Sequence, residues 1–172
     1  MPQDGPVTEL PTFTVADLEA EPVLDLPAFT QDDAVDLGLL AVAVIRERGA
    51  NLAVRVELHG ETVFLAMTGS TGAGNLPWLE GKARVVHRFG EASLLVRRRH
   101  EAAGTPFDER ADVDHDRFKA HGGSVPLRID GEVVGTLTTS GEPDVVDHAA
   151  SAETVRRYLA SRPLMRRPEG LA

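Results

Sequence analysis

Residues 125–139, VPLRIDGEVVGTLTT, constrain the fold more than any other stretch of this chain. Val125, Leu127 and Ile129 alternate up to Asp130-Gly131, and Val133–Thr139 runs back. Asp-Gly is favoured in type I′ turns, where both central residues need positive φ and the turn's twist matches that of the strands. The stretch therefore reads as a β-hairpin, and its strands pair antiparallel. A second hairpin reads from Asn51 to Met67. Leu52, Val54, Val56 and Leu58 share one face, Arg55 and Glu57 the other, and His59-Gly60-Glu61 turns the chain into Thr62–Met67.

The segments around the hairpins have helical spacing. Thr30-Gln31-Asp32-Asp33 offers an N-cap hydroxyl with an acid three residues on, followed by Ala34, Leu37, Leu40, Ala41, Val44 and Ile45, with a stop at Gly49. One long helix is predicted from about Leu76 to Ala103, closed by Gly104 and Thr105-Pro106. Gly141, Pro143 and Asp144 open a last helix, with Val145, Val146, Ala149, Val155 and Leu159 facing inward. The order helix, two strands, helix, two strands, helix predicts an α+β domain, a mainly antiparallel sheet flanked by helices. Residues 1–28, rich in Pro and acids with one short helical candidate at Thr14–Glu21, read as an N-terminal arm; 29–162 form the domain and 163–172 a tail. Val23, Leu24, Leu26 and Phe29 could pack the arm onto the body.

Composition narrows the chemistry. The chain has no cysteine, which excludes disulfides, thiolate metal sites and covalent haem attachment. The formal charge of −9 is uneven: residues 1–45 hold nine acids and no Lys or Arg, and the remainder holds eighteen of each sign. With no large basic field and no nucleic-acid-binding signature, nucleic acid is not an expected partner. No apolar run is long enough to span a membrane, and MPQDGPVTEL lacks the basic start and apolar core of a signal peptide, so a cytoplasmic location is expected.

Several residues invite a functional reading. The polar loop TGSTGAGN at 68–75 lacks the GK[ST] ending of a phosphate loop and reads as a rim over a pocket. Lys82 falls inside the apolar stripe Trp78, Val85, Phe89, Ala92, Val96. It either snorkels to the rim or faces a shared polar pocket and binds an anion. Arg84, Arg88, Arg97, Arg98 and Arg99 form a basic face that is either solvated or, with Leu94 and Leu95 among the charges, a subunit interface. No histidine spacing suggests a metal, so no metal site is expected. The start of the second hairpin and its end lie together at one edge of the sheet, which brings His121, Gly122 and Gly123 near Ser140, Gly141 and the Asp147-His148 pair. Backbone N–H groups and a helix N-terminus there suit a carboxylate or phosphate. The candidate ligand-binding residues are therefore Lys82, His121, Gly122, Gly123, Ser140, Gly141, Asp147 and His148, with no catalytic residue assigned.

N-x-x-W-x-x-x-K-x-R-x-V-x-x-F at Asn75–Phe89, then HGGSVPLRIDGEVVGTLTTSG, then Asp147-His148, resembles a small uncharacterised family grouped with the haem-degrading domain of the GlcG and HbpS type, over about residues 30–160. The resemblance implies a three-layer, profilin-like or PAS-like fold and assembly into homo-oligomers. Asn75, Trp78, Lys82, Arg84, Ser93, His121, Gly122, Gly123, Gly141, Asp147 and His148 match its pattern. Three readings follow. The first is a cytoplasmic oligomeric protein binding a small anion or haem. The second is an enzyme-like protein that binds haem noncovalently and degrades it, with His121 and His148, then His87 and Met67, as axial candidates. The third is an adaptor whose acidic arm recruits a protein partner.

Overall fold

The computed structural model describes residues 9–165. In chain order the elements are α1 (Val15–Glu19), β1 (Leu24–Leu26), α2 (Gln31–Glu47), β2 (Ala53–Leu58), β3 (Glu61–Met67), α3 (Leu76–Phe89), α4 (Ser93–Ala102), β4 (Ser124–Ile129), β5 (Glu132–Ser140) and α5 (Asp144–Met165). The five strands form one sheet in the order β1-β4-β5-β2-β3. Both predicted hairpins form. Asp130 and Gly131 have φ of 48° and 84°, and His59 and Gly60 have 51° and 82°, the positive pair that type I′ turns need. β2 and β5 also pair antiparallel, so β5 is central.

The fold is α+β with helices on both faces of the sheet, and β1 makes the sheet mixed, because it pairs parallel to β4. Val54, Val56, Leu58, Leu127 and Leu137 join the core that α2 and α5 complete with Ala34, Leu37, Ala41, Ile45, Ala150, Val155 and Tyr158. α2 starts as its sequence predicts: the Thr30 hydroxyl accepts from Asp33 N and the Asp33 carboxylate accepts from Thr30 N. The opposite face of the sheet is polar under α3. Ser124 Oγ lies 2.8 Å from Thr138 Oγ1, and Ser124 N donates to Ser93 Oγ at 3.1 Å. These buried hydroxyls satisfy one another, which removes the cost of burying them.

Three expectations change. The predicted long helix is two, because Gly90 takes φ of 74° and caps α3 in the left-handed region; α4 restarts at Ser93. Trp78 is 40% exposed rather than packed in a stripe, whereas Val85 and Val96 enter a second small core with Phe107, Val113 and Ala120. Leu94 and Leu95 are buried within the chain by Leu18 and Val145, so they cannot form the subunit contact expected of them.

The cover over those leucines is the arm itself. α1 lies on α4, Arg99 pairs with Glu19 at 2.7 Å, Arg98 Nε donates to Phe13 O at 3.0 Å, and Glu21 reaches His148 Nε2 at 2.8 Å. The acidic leading segment therefore spends part of its charge on the basic α4 of its own chain, and its described part is not a free docking arm.

Candidate functional site

The sheet brings the start of β4 and the end of β5 together at one end of the strands. Ser124 pairs with Thr138 and Ser140 with Ala53, so the approach to β4 and the exit of β5 meet beside the start of α5. Close approach explains the glycines. A Cβ on Gly122 would sit 2.3 Å from Asp144 O, and one on Gly123, whose φ is 133°, would sit 2.2 Å from Thr139 O.

Lys82 is 2% exposed, so it does not snorkel. Its Nζ donates to Asp147 Oδ2 at 2.7 Å and to Thr139 O at 3.1 Å. Burial depresses the Lys82 ammonium's pKa and raises that of the Asp147 carboxyl, while their mutual attraction opposes both shifts. Asp147 Oδ1 accepts from Glu142 N at 3.0 Å. Thr139 Oγ1 donates to Asp147 O at 2.8 Å, and Ser151 Oγ donates to Gly123 O at 2.7 Å. Lys82, Thr139 and Asp147 thus form a closed buried clamp joining α3, β5 and α5, and Ser151 ties Gly123 to it from α5.

In front of this clamp lies an open cleft of about 260 Å³ lined by Asn75, Trp78, His121, Ser140, Gly141, Glu142 and Asp144. The helix N-terminus behind it is already used from within. Gly122 N donates to Asp144 Oδ2 at 3.2 Å, and Asp147 holds Glu142 N. Burial raises the Asp144 pKa, but the Gly122 N–H and Arg97 overcome it and hold the group below the usual carboxylate range.

His121 is half-buried at the cleft wall, edge-on to Trp78 with ring centroids 5.2 Å apart. Burial and then the Arg97 charge lower its pKa, so the ring is neutral at pH 7. Arg97 NH1 stands 3.1 Å from His121 Nδ1 and 3.0 Å from Asp144 Oδ2. A guanidinium only donates, so Nδ1 must accept and the neutral ring carries its proton on Nε2. That Nε2–H has no hydrogen-bond partner among the described residues. Lys119 Nζ lies 5.2 Å from the Trp78 ring centroid, a cation–π contact.

His148 does not belong to this cleft. It is fully buried, with Nε2 on Glu21 and Phe13 edge-on at 4.9 Å, both from the arm side. His87 is bound to Glu57 at 2.6 Å on another face, and Met67 lies on β3. Sequence reasoning missed Arg97 and Asp144. Arg97 read as one of a basic row and Asp144 as a helix opener, because only the break at Gly90 turns α4 so that Arg97 reaches both. Among the described residues no cluster of three His, Asp or Glu could hold a metal ion, and no helix is long and apolar enough to cross a membrane.

Residues 29–156 match the family model described as haem degrading protein HbpS-like. The chain is 43% identical to a UPF0303 protein of Streptomyces coelicolor over 148 residues, covering 85% of this chain and 94% of the relative, and 41% identical to one of Streptomyces avermitilis, covering 85% and 91%. Among solved structures it is similar to the Ybr137w protein, with a TM-score of 0.76, 25% identity and 87% and 89% of the two chains covered. It shares the fold of a PduOC:heme complex, with a TM-score of 0.60, 19% identity and 76% and 94% covered.

Proposed function

The chain belongs to the HbpS-like haem-degrading protein family, and on that premise we propose that it is a ligand-binding protein whose cleft beside His121 and Trp78 takes a small carboxylate. The observation that carries this reading is the tautomer of His121: Arg97 on Nδ1 leaves an Nε2–H donor in an open cleft with an aromatic wall. A monoanion suits the site better than a phosphate dianion. Glu142 and Asp144 line the same cleft, and like charge at that range penalises a second negative charge.

Haem ligated by His121 or His148 does not fit this arrangement. Iron needs the lone pair of a ring nitrogen, and at His121 one nitrogen faces the Arg97 donor while the other carries the proton. His148 is closed in by Glu21 and Phe13. A haem titration serves as the contrasting arm of the test.

Trp78 is the chain's one tryptophan, so its fluorescence reports the cleft directly. Acetate should give a saturable change that His121→Ala weakens by about tenfold, the worth of one hydrogen bond to a charged group, while phosphate gives none. A response equal in wild type and His121→Ala would remove the cleft from the account. A saturable Soret shift abolished by His121→Ala would replace carboxylate by haem as its ligand. The reading includes homo-oligomeric assembly. With Leu94 and Leu95 buried, its contacts fall to the exposed Val35, Leu39, Leu65 and Met67.

A further inference from the structure

The geometry points to a second ligand site, separate from the His121 cleft, for an aliphatic carboxylate held between the arm and β4. β1 joins β4 only from the pair Leu24↔Leu127 onward. Just before it, Pro126 has no N–H with which to extend the ladder, and the two segments part. The gap is a cavity of about 210 Å³ that opens to solvent. Its apolar wall includes Leu18, Leu24, Leu95, Val125, Ala152 and Val155.

The charges on its rim are unequal in their engagements. Glu19 and Glu91 are both held by Arg99, and Glu21 is held by His148. Arg128 also lines the cavity, and its hydrogen bond goes to the neutral carbonyl of Gly90. Its Nε is buried without a partner, and no carboxylate pairs with it among the described residues. Asp25, its register neighbour on β1, accepts from Gly131 N instead. Among the described residues Arg128 is therefore the one guanidinium of the lining that no carboxylate engages, and an alkyl chain ending in a carboxylate can pair with it while lying along the apolar wall.

Calorimetry of the full chain with decanoate tests this. One decanoate should bind per chain, Arg128→Gln should weaken it by about tenfold or more, and decanol should bind wild type no better than decanoate binds that variant. Val23→Trp, at an exposed position on the cavity wall, should weaken decanoate by obstruction and serves as the deciding variant if Arg128→Gln does not fold. His121→Ala should bind decanoate as wild type does, which separates this site from the cleft. Unsaturable uptake, or decanoate affinity unchanged in Arg128→Gln or in Val23→Trp, would overturn the proposal.

Discussion

Lys82 and His121 show how burial decides what a charged side chain can do. A lysine at 2% exposure with its ammonium on a carboxylate holds the wall and does not reach for ligand. Lys82→Met should leave Asp147 buried without its partner and lower unfolding free energy by about 3–5 kcal/mol. The double variant with Asp147→Leu should recover much of that loss in a denaturant titration; a double variant as unstable as the single one would mean the pair's geometry, not its charge, matters. At His121 the native ring resists protonation, so the unfolded chain takes up a proton first as pH falls below the ordinary value of 6.5. His121 thus costs no stability above that pH and costs progressively more from there down to its depressed native pKa. Wild type should lose more stability than His121→Gln between pH 7.5 and the acid end of that window; parallel curves would contradict the assignment.

At the scale of elements, the four hairpin strands and their turns were legible, β1 was not, and the helix layer was less so. Asp130-Gly131 and the alternation of Val54, Val56 and Leu58 encode local geometry, which a linear reading can reach. The break at Gly90 was not read, because a glycine within a helical pattern is tolerated as often as it terminates. Leu94 and Leu95 looked like leftover surface because the residues that cover them are distant in the chain, Val145 on α5 and Leu18 in a leading segment whose composition suggests looseness. Grouping Gly122, Gly123, Gly141 and Asp147 needed only the hairpin; placing Arg97 on His121 needed the turn between α3 and α4. Leu95→Glu tests the corrected view. It should bury a charge under α1, destabilise the fold by several kcal/mol and expose the 9–28 segment to protease, whereas a stable variant of lower mass would restore the interface reading.

The whole molecule is a three-layer domain whose acidic arm is drawn onto basic α4, and it carries two different openings. One, under the arm, is apolar with Arg128 at its rim; the other, at the start of α5, is polar with Trp78 and His121 at its wall. The family match covers both α3 and the second hairpin, the elements that build the polar cleft. What the cleft binds depends on which His121 nitrogen faces it. Long-range ¹H–¹⁵N correlation spectroscopy of the imidazole at pH 7.5 measures this. The account predicts the Nε2–H tautomer, with the Nε2 resonance moving on addition of acetate and the tautomer lost in Arg97→Ala; an Nδ1–H tautomer, or an Nε2 resonance indifferent to acetate, would contradict it.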